Sequence, residues 1–185
     1  MVAVQVLGTP PLSGTVEEHA FQPAGEPVWV RFELEDEKSW VGAFGSGQAR
    51  ASGDVGAATL EYPPVAYVVA GSRDYLINYQ THELLLWFDQ SRSEGVLAVQ
   101  AQDRFVLWDS TRLQAVDAKG NALWLSRRVS WDGLRDVHCD EGVIKGEAWS
   151  PLGGGWMGFQ LDPMTGEFTG GSYVSGPWDA DDQHE

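Results

Sequence analysis

Residues 28–44 read VWVRFELEDEKSWVGAF. Val28, Val30, Phe32 and Leu34 alternate with Trp29, Arg31 and Glu33. A period of two puts the apolar set on one face of an extended chain and predicts a half-buried strand. Glu35-Asp36-Glu37-Lys38 interrupts the pattern as a polar turn, and Trp40–Phe44 returns as a second strand. Strand, polar turn, strand is the unit from which the rest of the chain can be read.

The unit recurs. Tyr75–Tyr79 leads through Gln80-Thr81-His82-Glu83 to Leu84–Phe88. Leu113–Val116 leads through Asp117–Asn121 to Ala122–Leu125, and Phe159–Leu161 through Asp162–Glu167 to Phe168. The turns open near Glu35, Gln80, Asp117 and Asp162, separated by 45, 37 and 45 residues. Apolar runs precede the later hairpins: Val65–Ala70, Val96–Val99, Phe105–Trp108 and Val143–Trp149. Val65–Ala70 and Leu84–Phe88 are apolar on both faces, the pattern of strands packed between two neighbouring sheets. A strand-only period of about 40–45 residues is that of propeller blades. The expected fold is therefore all-β, an antiparallel meander of about four repeated units forming a small or partial β-propeller. The same hairpins could also build a β-sandwich or open barrel.

Leu161-Asp162-Pro163-Met164-Thr165-Gly166-Glu167 resembles the outer hairpin of PQQ-type propeller blades, and Val116-Asp117-Ala118-Lys119-Gly120-Asn121 is a looser copy. In such a turn the Asp caps backbone amides and the Gly supplies a positive φ. The first two hairpins lack that Asp and Gly. The resemblance spans roughly residues 28–170 and implies blade-like sheets. It carries no cofactor chemistry with it, and no cofactor is expected.

The chain is expected to be a single all-β domain over 1–185, with a poorly patterned N-terminal segment at 1–26 and an acidic tail at 179–185. Acids outnumber bases 27 to 12, a net charge of −15. The excess lies at the two ends: residues 1–62 carry −6 and residues 136–185 carry −9, while 63–135 balance. Such a surface repels phosphate backbones and anionic bilayers, so neither nucleic acid nor membrane is an expected partner. A basic protein is. If the sheets closed, the N-terminal strand would complete a C-terminal sheet and join the acidic ends in one sector. The start has no basic segment followed by an apolar run, which reads as cytoplasmic rather than exported.

No motif announces chemistry. His19, His82, His138 and His184 show no metal-ligand spacing, and no metal is expected. Cys139 is the lone cysteine and reads as a small buried hydrophobe. No G-x-S-x-G or P-loop occurs. Trp40, Trp87, Trp108, Trp124 and Trp149 fall within strand patterns and read as inter-sheet packing. Trp29, Trp131, Trp156 and Trp178 stand nearer loops or on mixed strands. The candidate binding surface is Trp29, Glu33, Glu35, Asp36, Glu37, Trp156, Trp178 and Asp179, with no catalytic residue assigned. The leading expectation is a non-enzymatic protein-binding domain, one form being an acidic inhibitor or immunity-type protein that captures a basic partner. The alternative is a carbohydrate- or small-ligand-binding protein, or a hydrolase, using Trp platforms and a carboxylate pair.

Overall fold

The computed structural model describes residues 2–12, 14–22, 25–35, 38–47, 55–152 and 154–174. They form sixteen strands in four sheets of four. The first sheet, blade A, holds β1 (Ala3–Leu7), β2 (Glu17–Phe21), β3 (Pro27–Glu33) and β4 (Ser39–Gly45). Blade B holds β5 (Val55–Leu60), β6 (Val65–Ala70), β7 (Arg73–Asn78) and β8 (Glu83–Asp89). Blade C holds β9 (Gly95–Val99), β10 (Arg104–Trp108), β11 (Leu113–Asp117) and β12 (Ala122–Leu125). Blade D holds β13 (Leu134–Asp140), β14 (Val143–Ser150), β15 (Gly155–Leu161) and β16 (Phe168–Gly170). Blades B, C and D are simple antiparallel meanders. Their first strands start 40 and 39 residues apart, which is the repeat that the sequence carries.

The first strands of successive blades, β1, β5, β9 and β13, run side by side. The apolar core lies between blades in three layers. Val30, Phe32, Trp40 and Phe44 of blade A meet Ala66, Val68, Tyr75 and Ile77 of blade B. Val65, Tyr67 and Val69 of blade B meet Phe105 and Leu107 of blade C. Val106, Leu113 and Ala115 of blade C meet Ile144, Ala148 and Phe159 of blade D. The alternation of β6 explains its role: even-numbered residues face blade A and odd-numbered ones face blade C, so the whole strand is buried.

Among the described residues no such layer joins blade D to blade A. The outer face of blade D is charged instead, with Arg135 paired to Glu147 at 2.5 Å and Lys145 to Asp140 at 2.6 Å. A polar outer face is how a stack of repeats ends in water. The sandwich and barrel alternatives are thereby set aside: the sheets stand as four separate blades.

Blade A departs from its sisters. Its order is β1-β3-β4-β2, and β2 runs parallel to β4, Glu17 opposite Trp40 and Phe21 opposite Phe44. The 1–26 segment, poorly patterned in sequence, thus contributes two strands. β1 bonds to β3, Val6 opposite Val30, so the N-terminal strand stays in its own blade and does not complete a C-terminal sheet. The β3–β4 turn also joins different positions from the later hairpins. In blades B to D the hairpins read from sequence join the third and fourth strands. The sequence spacing of 45 from Glu35 to Gln80 therefore compares two unlike turns.

Two further readings are corrected. Leu84–Phe88 is not packed between sheets. β8 is the outermost strand of blade B, and Leu85, Leu86, Trp87 and Phe88 are each 37–40% exposed. Blades that share a line of first strands diverge toward their outer strands, so neighbours no longer cover them. Cys139 is exposed rather than buried. No helix among the described residues is long and apolar enough to cross a membrane.

Candidate functional site

The outer turns show how local chemistry aims side chains. In the β15–β16 turn, Asp162 Oδ1 accepts the Met164 amide at 2.7 Å, and Gly166 takes φ +75°. In the β11–β12 turn, Asp117 Oδ1 accepts the amides of Lys119 and Asn121, and Gly120 takes φ +82°. The β7–β8 turn is built alike from other residues. Asn78 Oδ1 accepts the amides of Gln80 and Thr81 at 2.9 and 3.0 Å. Asn78-Tyr79-Gln80-Thr81-His82-Glu83 lies in register with Asp162-Pro163-Met164-Thr165-Gly166-Glu167, and His82 stands where Gly166 does, at φ +60°. So blade B does carry the turn, with Asn for Asp and His for Gly.

That substitution places an imidazole at the seam between blades A and B. Trp40, 2% exposed, donates its indole N–H to the Tyr79 carbonyl at 3.0 Å and ties β4 to the start of the turn. The His82 ring lies 4.6 Å from the Trp40 ring and 4.0 Å from that of His19. His19 and Glu17 sit two apart on β2 and so share a face. His19 Nε2 donates to Glu17 Oε1 at 2.8 Å, and His82 Nδ1 is 3.8 Å from the same oxygen. The His19 hydrogen bond, aided by the charge of both imidazoles, holds the Glu17 carboxyl below its ordinary value. Burial, with the His19 charge, holds His82 below the ordinary imidazole value, against a smaller opposite pull from Glu17. Neither histidine carries a spacing signal, because the two come from different blades.

The cluster borders a cleft of about 430 Å³ whose walls include Glu35, Lys38, Glu61, Tyr62 and Tyr79. Among the described residues, Glu35 is the one sequence-predicted binding residue that this cleft gathers. Trp40 is sealed beneath it and offers no open stacking platform; Tyr62, 80% exposed, is the free ring.

The other described candidates, Glu33, Trp29 and Trp156, do not form one patch. Glu33 is exposed at the end of β3, and Trp29 is half-buried on the same strand, on the face turned away from blade B. Trp156 is on blade D, edge-on to Trp149 at 5.5 Å and under the Arg135 guanidinium at 4.2 Å. Asp36, Glu37, Trp178 and Asp179 lie outside the described residues.

The surface that sequence reading missed is β8. It is an edge strand: it bonds to β7 on one side, and no described strand pairs with the other. Its apolar run Leu84–Phe88 is bracketed by Glu83 and Asp89, both exposed. The β11–β12 turn of blade C sits beside it, so that a Cβ on Gly120 would stand 2.7 Å from Leu86. Leu123 and Leu125 of β12, 46% and 60% exposed, add apolar surface on the next outer strand.

Solved structures share this fold. BamB from Moraxella catarrhalis, a propeller of PQQ-like repeats, aligns with a TM-score of 0.52 and 13% identity over 96% of this chain and 56% of its own. A eukaryotic initiation factor aligns with a TM-score of 0.50 and 9% identity over 84% of this chain and 45% of its own. The fold is β-propeller-like. The chain spans about half the length of these structures. No protein-family description and no curated protein matches the sequence.

Proposed function

We propose that the protein is a non-enzymatic protein-binding module that captures an extended segment of a basic partner along β8. The carrying observation is that strand: seven residues whose outer edge no described strand pairs, four of them large, apolar and 37–40% exposed in a row. An exposed apolar edge either aggregates or receives a partner strand. A net charge of −15 disfavours a second copy of the same chain, since like-charged molecules repel. It favours a cationic segment. Glu83 flanks the strand and follows His82 directly, beside the cleft walled by Glu17, Glu35, Glu61 and Lys38, while Asp89 at the other end is paired with Arg73 at 3.0 Å. Main-chain hydrogen bonds along the edge would supply affinity, and Glu83 with the net negative charge would supply steering and choice of partner.

The test uses the full chain and a Leu85→Lys/Phe88→Lys variant as parallel baits in native lysate, with elution by rising salt. A basic protein retained by the wild type, released as salt nears about 0.5 M, where screening shortens to a few ångströms, and lost from the variant supports the reading. Equal capture by both baits, or a wild type that holds nothing at low salt or runs as a dimer in sedimentation, overturns it.

A further inference from the structure

We infer that Glu17, His19 and His82 form a binding site for a single divalent transition-metal ion, of which Zn²⁺ is the natural probe, and that the ion clamps blade A to blade B. The donor set is two imidazoles and one carboxylate, the mixture that borderline ions such as zinc prefer. One donor atom from each residue can be chosen so that all lie within 4.8 Å of one another. Donors around a tetrahedral ion with bonds of about 2.0–2.1 Å stand roughly 3.3 Å apart. The observed separations of 2.8 Å for Glu17–His19 and 3.8 Å for Glu17–His82 straddle that figure. The His19–His82 separation lies within 4.8 Å, so the three donors would converge by side-chain rotation.

A second observation is independent of those distances. The turn that carries His82 has a glycine, Gly166, at the matching place in blade D. His82 is one of six described non-glycine residues with positive φ, and histidine is among the types that tolerate that conformation. Blade B gives up the glycine and gains an imidazole aimed across the seam at β2. That strand is the one in which blade A departs from its sisters, since it is parallel and drawn from the N-terminal segment. The imidazole in the β7–β8 turn and the parallel strand of blade A meet at this cluster.

The ion has a way in and a free position. The His19 and His82 side chains are 32% and 23% exposed and Glu17 is 63% exposed, so one side of the cluster is open to solvent. Three protein ligands leave a fourth position for water. The other side rests on Trp40, whose ring fixes both imidazoles at 4.6 and 5.5 Å. A rigid platform under two ligands lowers the ordering that binding requires. Because the ligands come from two blades, the bound ion favours the assembled seam over the separated one, and metal binding should appear as thermal stability.

The experiment titrates Zn²⁺ into the metal-stripped full chain by calorimetry, records Co²⁺ absorption, and repeats both with three variants. His82→Asn keeps a residue that tolerates the positive φ, His19→Gln removes the β2 imidazole, and His138→Gln is the control on blade D. The expected result is one equivalent of Zn²⁺, intense tetrahedral Co²⁺ bands, and a melting point raised by Zn²⁺ in the wild type. His82→Asn and His19→Gln should each weaken binding at least tenfold and abolish the thermal shift, while His138→Gln changes neither. No binding, binding untouched by His82→Asn and His19→Gln, or binding lost equally in His138→Gln overturns the inference. If His82→Asn fails to fold, His19→Gln decides, because β2 keeps its pairing to β4 through the backbone.

Discussion

β6 and β8 belong to one blade, have nearly the same length and carry runs of nearly the same hydrophobicity, VAYVVA and LLLWF. Every residue of β6 is buried, whereas all of β8 but Leu84 is exposed. The difference is radial position. β6 is the second strand of its sheet, where neighbouring blades are close enough to cover both of its faces. β8 is the fourth, where the same blades have spread apart. Hydrophobicity therefore reports burial only once a strand's place in the blade is known. An outer strand as apolar as an inner one marks a surface kept for something other than the core.

The sharpest way to break this comparison is to place the same charge in both strands. Val68 is fully buried and faces blade A. Val68→Lys puts an unpaired ammonium in an apolar layer with no partner, and should cost more than about 4 kcal/mol, enough to unfold a marginal domain. Circular dichroism and urea melting of the purified variant would check it. A folded Val68→Lys protein with near-wild-type stability would mean that the layer between blades A and B is not the core described here.

A middle-sized effect tests the join between β7 and blade C. Asp74 is 2% exposed and accepts Tyr67 Oη at 3.0 Å, Ser91 Oγ at 2.6 Å and Ser93 Oγ at 2.7 Å, all on Oδ2. Its Oδ1 is buried with no hydrogen-bond partner among the described residues. Burial holds this carboxyl above its ordinary value, against the pull of the three hydroxyls. Asp74→Ala strands those donors and should cost about 2–3 kcal/mol. Because the folded-state pKa is raised, the folded state binds this proton more tightly than the unfolded chain does. Stability from this group is complete below the unfolded value of about 3.9 and falls as pH rises through the folded value. Asp74→Asn cannot ionise, so its stability should fall less than that of the wild type between acid and neutral pH in urea titrations. Parallel pH profiles would remove Asp74 from the account.

How far the sequence carried these conclusions follows from the same geometry. The hairpins were legible because apolar runs are broken by short polar turns in every blade, with period-two alternation clearest in Val28, Val30 and Phe32. β2 was not, since EEHAF has no apolar alternation; its pairing is set by parallel contact with β4, and only Phe21 enters the core. The turn motif was read where it is spelled with Asp and Gly, and missed where Asn78 and His82 play those parts. The acidic hairpin placed Glu35 at the cleft, but Trp29 and Trp156 were grouped by residue type and fall on blades at opposite ends of the row. The His19–His82 pair left no trace because its members lie 63 residues apart, and strand register rather than local spacing brings them together.

The smallest expected effect completes the comparison of the two apolar strands. Leu85 sits in the irregular step of the β7–β8 ladder, where Leu76 pairs with Leu86 and Ile77 with Leu84, so it has no cross-strand partner. It is 37% exposed. A lysine there can lay its methylenes along the strand and keep its ammonium in water. The loss is part of one leucine's burial, and Leu85→Lys should cost about 1 kcal/mol. Urea melting would measure it beside Val68→Lys. A near-neutral Leu85→Lys that also fails to hold the partner separates the two uses of apolar surface in this blade, the inner strand for folding and the outer one for binding. A Leu85→Lys as damaging as Val68→Lys would show that β8 is buried in the molecule in solution, and the edge-strand reading would fall with it.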